Sequence, residues 1–465
     1  MTQARSSIDS AIQSLQVSMK GSVLTAADAG YDEARRVWNG RFDRHPGAIA
    51  RCSGTADVIA AVNLAREKNL LVSVRSGGHD FAGNSVCDGG LVIDLSQMNG
   101  VWVDPSSKTA RVQPGTKWRA FDHETQTFGL ATTGATVSTV GVSGFTLGGG
   151  TGWLARKYGL ALDNLIAVEV VTASGDLVRA TENEQRDLFW ALRGGGGNFG
   201  IVTSFEFRLH EVSQEVLAGQ IIYPFEAAAD VLRVFRSFIA KAPDAVQCYP
   251  FIIRVPPLPV FPESFHGQLA IDLVVAHVGD PADGERALAP LHGLAEPILD
   301  AVGAQPYLTL QQTFDAGAPA GKRWYSKGHH LRELSDAAID TIVSRVEELP
   351  GEYTMVYLEQ LGGAIARIDP KATAFPHRSA GYSFHIFPGW ENASDDERII
   401  GWAREFHREL SAHATGNVYV NLLGGDEERG PRSAYAANYD RLAEVKQKYD
   451  PQNLFRVNHN IEPHA

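Results

Sequence analysis

Arg75-Ser76-Gly77-Gly78-His79 follows directly on the apolar run Leu70-Leu-Val-Ser-Val74, so residues with little or no side chain stand where a buried strand ends. Such a turn exposes successive backbone N–H groups as an anion nest, the setting in which a pyrophosphate is held. An ordinary tight turn has the same composition, and a histidine within one is commonly just a hydrogen-bonded loop residue. A second run, Thr136-Val-Ser-Thr-Val-Gly-Val-Ser-Gly144 followed by Leu147-Gly-Gly-Gly-Thr-Gly152, supplies hydroxyls and bare backbone over a long stretch and suits a flat, polar cofactor. A third, Gly195-Gly-Gly-Asn-Phe-Gly200, matches G-x-G-x-x-G but follows a helical pattern and leads into the strand Ile201-Val-Thr-Ser-Phe. A nicotinamide dinucleotide fingerprint needs strand before helix, so that reading is rejected. No GxxxxGK[ST] occurs. His329-His330, His377 and His385 have no metal-like helical spacing with a carboxylate and are expected to be structural.

These clusters need elements to place them. Ala48-Ile-Ala-Arg-Cys52 reads as a strand, Thr55 opens a helix with Val58, Ile59, Val62 and Ala65 on one face, and Leu70–Val74 is the next strand, a βαβ unit. Strands are expected at 91–94, 101–104, 110–113, 166–171, 177–180 and 201–209, with helices around Trp118–Phe128 and 182–193. Up to about residue 212 this is one α+β region. Beyond Glu211 long strands alternate with amphipathic helices: strands at 220–225, 247–255, 268–278, 307–314, 353–360 and 382–387, helices at 227–241, 282–294, 335–349 and 394–413. Adjacent long strands imply a mostly antiparallel sheet with helices on one side. The proline-rich stretch 255–262 is expected to be a loop at a rim. The tail begins with a strand at Tyr419 and continues with a helix over 433–449.

Composition narrows the function classes. With 465 residues, 44% hydrophobic and 21% charged, the chain is long enough for two packed domains. A net charge of -12 and the lack of any basic block argue against a nucleic-acid partner. Apolar stretches are interrupted well short of the ~20 residues of a membrane helix, so no membrane partner is expected. MTQARSSIDSAIQSLQ has no apolar core of a leader peptide, which disfavours secretion, and Cys52, Cys87 and Cys248 do not read as a disulfide or zinc framework. A cytoplasmic location is the expectation.

Val74-Arg-Ser-Gly-Gly-His-Asp-Phe-Ala-Gly83, Gly141 to Gly159, Leu192-Arg-Gly-Gly-Gly-Gly-Asn-Phe-Gly-Ile201 and Tyr449-Asp-Pro-Gln-Asn-Leu-Phe455 resemble, in order and over residues 30 to 463, the berberine bridge enzyme-like flavoproteins of the vanillyl-alcohol oxidase superfamily. The resemblance implies an α+β fold with a two-subdomain FAD-binding domain of the PCMH type and a substrate domain whose large antiparallel sheet is covered by helices. Its expected division is an N-terminal segment 1–35, an FAD-binding domain 36–212, a substrate-binding domain 213–418 and a C-terminal segment 419–465 returning to the FAD domain. It implies FAD joined covalently to His79. Some members add a cysteinyl bond, but the aligned stretch here is Val137-Ser-Thr-Val-Gly141, so a single bond is expected.

Expected contacts to the cofactor are Arg75, Ser76, Gly77, Gly78, His79, Val137, Thr139, Val140, Gly141, Gly144, Gly149, Gly150, Gly152, Asn164, Gly200, Ile201, Val202, Asn421, Asn458 and Asn460. Tyr419-Val-Asn-Leu422 is similar to the family's Tyr-x-Asn-Tyr strand, which makes Tyr419 the first candidate base. Its ordinary pKa of ~10 requires positive charge or a relay to work near neutrality, and Leu422 departs from the usual Tyr. Glu359 and Tyr249, on strands expected to face the flavin, are second candidates. The implied function is an FAD-dependent oxidase that takes a hydride from a carbon next to oxygen or nitrogen in a small molecule such as a sugar, alkaloid or natural-product alcohol. By the same resemblance, the residue three after the cysteinyl position sits beside the flavin's oxygen-reacting face, and Val140 there implies molecular oxygen as partner and hydrogen peroxide as product. The alternatives are a dehydrogenase using an organic acceptor and a non-catalytic flavin-bearing binding protein.

Overall fold

The computed structural model describes residues 12–426 and 430–464; residues 1–11, part of the stretch read for a leader peptide, lie outside the described residues. In the first half, strands β1 (Ser22–Leu24), β2 (Ala48–Arg51), β3 (Val72–Arg75) and β4 (Leu91–Asp94) form a sheet in the order β1-β2-β4-β3, with β2, β4 and β3 parallel. Helix α1 (Thr55–Glu67) joins β2 to β3 and buries Val58, Ala61, Val62 and Ala65. Its start is fixed by Asp57, whose carboxylate accepts the N–H groups of Lys20, Gly21 and Ser53 at 2.8–2.9 Å and so ties the entering chain to the helix N-terminus. A second, antiparallel sheet runs β5 (Val101–Asp104), β6 (Thr109–Val112), β9 (Ile201–Arg208), β7 (Leu165–Val171) and β8 (Leu177–Thr181) in that spatial order.

The third sheet is antiparallel and carries the site. Its order is β13 (Leu299–Asp300), β10 (Glu215–Pro224), β12 (Leu269–His277), β11 (Val246–Arg254), β16 (Met355–Gln360), β17 (Tyr382–Phe387) and β15 (Lys327–Leu331), with β14 (Gly303–Pro306) also paired to β10. The two-residue period of a strand sorts its side chains by face. Cys248, Ile252, Val356, Leu358, Phe384 and Ile386 join one core with helices α2 (Ala228–Ile239), α3 (Asp336–Val346) and α4 (Asp396–Leu410). Their neighbours Tyr249, Phe251, Tyr357, Glu359, His385 and Phe387 face the first half. The register sets Phe251 opposite Tyr357, Tyr357 opposite His385 and Glu359 opposite Ser383. The fold is α+β, with a helix-covered antiparallel sheet set against the two smaller sheets.

The tail returns to the first half. Helix α5 (Tyr439–Tyr449) buries Leu442, Ala443 and Val445 in the core of the second sheet. Lys446 and Asp450, both fully buried, pair at 2.6 Å; the ammonium also donates to the carbonyls of Asn198 and Phe455, and the carboxylate accepts the N–H groups of Leu454 and Phe455. Every charge in the clasp has a partner, the condition under which buried ions are tolerated.

Three expected elements differ. Tyr307–Phe314 is no strand: Tyr307–Leu310 is a helical turn that runs on into turns, because Tyr307, Leu310 and Phe314 also satisfy helical spacing and Gln311 must reach Asp122, to whose carboxylate it donates at 2.8 Å. The expected strand at Tyr419 is a 3-10 turn over Val420–Leu422, closed by the Leu422 N–H on the Tyr419 carbonyl. The helix expected over 433–449 is interrupted at Ala436–Asn438, where the Asn438 amide donates to carbonyls of Pro370, Thr373 and Ala374.

Candidate active site

Between the third sheet and the first half lies a cavity of about 390 Å³. Ser76, Gly77, Gly78 and His79 enter it at the end of β3, and Val137, Val140, Gly141 and Gly144 from the second glycine-rich run. These runs touch: a Cβ on Gly77 would lie 2.6 Å from the Gly141 backbone, so only glycine allows the approach. Gly200, Ile201 and Val202 at the start of β9 and Asn458 of the tail complete that side, and Tyr249, Glu359, Tyr419 and Asn421 line the other.

Seven expected contacts do not line it. Arg75 turns away to pair with buried Asp94 at 2.6 Å. Asn164 is spent on structure: its amide donates to the carbonyls of Tyr158 and Leu160, and its oxygen meets a ring nitrogen of His210. Gly150 donates its N–H to the Tyr419 oxygen at 2.7 Å, while Gly152 packs on the Gly134 carbonyl, which a Cβ would approach to 2.0 Å. Gly149, Thr139 and Asn460 also lie outside the lining.

Residues the sequence did not mark also converge here. Trp38 stacks on His79 with ring centroids 3.9 Å apart. His385, expected to be structural, lines the cavity with a ring nitrogen 4.0 Å from a Glu359 oxygen. Thr151, Trp324 and His459 line it too. For His385 a signal existed, because two-residue alternation puts it on the face opposite the buried Phe384 and Ile386. Trp38 carried none.

Burial governs the protonation states. His79 is pulled down to about 3 and His385 likewise to about 3, both by desolvation, so both rings are neutral. Glu359 is pushed up to about 7 by burial, against the lowering effect of hydrogen bonds from Thr151 and Tyr249, the latter donating at 3.4 Å. Burial also raises the Tyr419 phenol; the Glu359 charge adds to this, while the N–H of Gly150 and the amide of Asn421, donating at 2.7 and 2.8 Å, oppose it. Asn421 also donates to the Phe145 carbonyl at 3.0 Å, which fixes the amide's orientation.

The lining suits FAD. A ring nitrogen of His79 is buried and has no hydrogen-bond partner among the described residues. Gly144 and Gly197 present bare backbone to the cavity, and a Cβ on either would meet nothing within 4 Å. Among the described residues no lysine or arginine lines the cavity, so backbone N–H groups are the donors that would meet FAD's phosphates there.

Among the described residues no helix is long and apolar enough to cross a membrane, and no cluster of His, Cys, Asp and Glu could hold a metal ion. Residues 46–181 match the family model of an FAD binding domain, and residues 418–462 that of berberine and berberine-like proteins. The (R)-6-hydroxynicotine oxidase of Paenarthrobacter nicotinovorans is 30% identical over 96% of this chain and 98% of its own length. A xylooligosaccharide oxidase of Thermothelomyces thermophilus is 28% identical over 92% of this chain and 89% of its own. The crystal structure of 6-hydroxy-D-nicotine oxidase from Arthrobacter nicotinovorans superposes with a TM-score of 0.86 at 30% identity, covering 96% of this chain and 99% of that one. With both family models matched and that likeness running the length of the chain, the protein belongs to the berberine bridge enzyme-like family of FAD-linked oxidoreductases.

Proposed function

We propose that the protein is an FAD-linked oxidase of a small molecule, acting at a C–H bond next to nitrogen or oxygen, with Glu359 as the base and molecular oxygen as the final acceptor. FAD supplies the two-electron hydride acceptor when bound. The observation that carries the assignment is the position of Glu359, a fully buried carboxyl on the cavity wall at about 7, where a general base is most effective near neutrality. Relatives named for a nicotine derivative and for an oligosaccharide both fit this reaction class.

Glu359 takes the proton from the substrate's N–H or O–H, freeing the lone pair that assists loss of hydride from the neighbouring carbon. Tyr249 steadies the carboxylate by donating to it. Tyr419 then ranks behind Glu359, because burial and the Glu359 charge both disfavour its phenolate; its role is to hold the Asn421 amide and the Gly150 turn beneath the substrate. His79 is the proposed single covalent anchor, a neutral imidazole braced by Trp38, and Val137 offers no sulfur for a second bond. Val140 lines the cavity, and its small side chain is the proposed opening for oxygen. The three cysteines are buried and free, which suits a reducing cytoplasm. Anaerobic mixing with a panel of amines, alcohols and oligosaccharides tests the function: bleaching of the flavin absorbance followed by peroxide release in air is expected, and a spectrum that stays oxidised with every ligand that binds would leave only a binding role.

A further inference from the structure

The cavity holds acids and no permanent cation. Among the described residues no lysine or arginine lines it, while Asp80 and Glu359 do. Its histidines, His79, His385 and His459, are all made less basic by burial. Beside Glu359, a substrate carboxylate would find no lysine or arginine in the lining to pair its charge.

The walls around Glu359 are aromatic. Phe251 and Tyr357 stack at 4.6 Å, and Phe387 stands edge-on to Tyr357 at 5.5 Å. Of the cavity-lining side chains contributed by the third sheet, only Tyr249, Tyr357, Glu359 and His385 offer polar atoms. A sugar unit would bring several hydroxyls against this surface, and each one left unpaired weakens binding. An ammonium gains from the same surface, because ring faces and a carboxylate both attract a positive charge.

We propose that the substrate is an organic amine that enters as its ammonium form, with the positive nitrogen held between Glu359 and the rings of Phe251, Tyr357 and Phe387. This rests on the oxidase reading above and deepens it. The geometry also explains why a base is needed: a protonated nitrogen has no lone pair with which to assist loss of hydride from the adjacent carbon. The N–H proton passes to a carboxylate oxygen of Glu359, and the amine that then reacts is neutral.

Binding of a fixed cation reads out this arrangement without turnover. The titratable groups facing Glu359 are Tyr249 on β11, Tyr357 on its own strand, His385 on β17 and Tyr419 on the 3-10 turn; the phenols are raised and the imidazole lowered by burial, so all four are neutral near pH 7. The holoenzyme is titrated with benzyltrimethylammonium, which has no proton to lose, and with neopentylbenzene, its uncharged isostere, at pH 5.5 and 8.5, following the visible flavin spectrum. The cation is expected to bind at least tenfold more tightly at pH 8.5, and Glu359→Gln to remove that dependence and weaken binding at pH 8.5 at least tenfold, while the isostere is indifferent to both. Equal affinity of cation and isostere, or a cation affinity unmoved by pH and by E359Q, overturns the proposal. In the anaerobic panel, bleaching by sugars or alcohols but not by amines would overturn the amine assignment and leave the oxidase reading standing. Cation binding as described with no bleaching by any compound would overturn the oxidase reading instead.

Discussion

The indole of Trp38 lies flat against the imidazole of His79, planes 18° apart and centroids at 3.9 Å, and it also stacks on Trp324 at 5.0 Å. The Trp38 N–H donates to the Ala318 carbonyl at 2.9 Å, so the ring beside His79 is braced by a distant segment of the chain as well as by the strand end that carries the histidine. A ring held this way, neutral and with one nitrogen unpartnered, has little freedom to leave the cavity.

From this follows a test of attachment. Acid-precipitated protein is expected to stay yellow after washing, and His79→Ala to release its flavin under the same treatment. Peptide mass spectrometry should find flavin on the His79 peptide alone; a flavin-bearing cysteine would contradict the single anchor.

Glu359→Gln is expected to slow flavin reduction by roughly 10²–10⁴-fold, the usual contribution of a general base. Tyr419→Phe keeps the ring and loses only the oxygen that accepts from Gly150 and Asn421, and the loss should be smaller than for Glu359→Gln. Rapid-mixing traces decide the order: a larger defect in Tyr419→Phe would return the base to the tyrosine.

Val140→Ile adds one methylene to a packed wall. Reoxidation in air is expected to slow about tenfold, the equivalent of ~1.4 kcal/mol of overpacking, with reduction by substrate unchanged. Unaltered reoxidation would place the oxygen path elsewhere.

Asp272 is buried in the third sheet with one carboxylate oxygen accepting from Gln220, and burial pushes it up to about 8. The folded protein keeps a proton that the unfolded chain has already released, so its stability falls as pH rises toward and through 8. Buried histidines act in the opposite sense only below about pH 6.5, the ordinary imidazole pKa. Between pH 7 and 9 this one carboxyl should cost about 1 kcal/mol. Asp272→Asn is expected to flatten the decline in the urea midpoint over that range; an identical slope in the variant would show that the proton resides elsewhere.

How far the sequence reveals the site depends on the range of the interactions involved. The strand Tyr382–Phe387 is readable because its register is local, yet which face meets the cavity depends on what packs over it, and so His385 looked structural. Tyr307–Phe314 fits both a two-residue and a helical period, and only the distant Asp122 decides between them. The glycine turn at Gly77-Gly78 is evident from composition, whereas its contact with Gly141 joins loops far apart in the chain. Asn164 lies beside a motif and looks like a ligand for that reason, but its amide is used by the nearby carbonyls of Tyr158 and Leu160. Trp38 is the extreme case, since nothing in its neighbourhood announces that its ring rests on His79.

The returning tail sets an order of events in time. Asn458 and His459 line the same cavity as Ser76 to His79, and the Lys446–Asp450 clasp seats them against the loop at Asn198. A ribosome makes the glycine-rich half well before these residues, so the nascent chain holds an open, partly apolar trough throughout synthesis of the third sheet. Closing it requires joining the two ends of a very long loop, an entropic cost that the buried clasp helps to offset. The cavity is therefore complete only once the returning segment has docked, and a chain ending before Lys446 would carry His79 without Asn458 and His459 beside it.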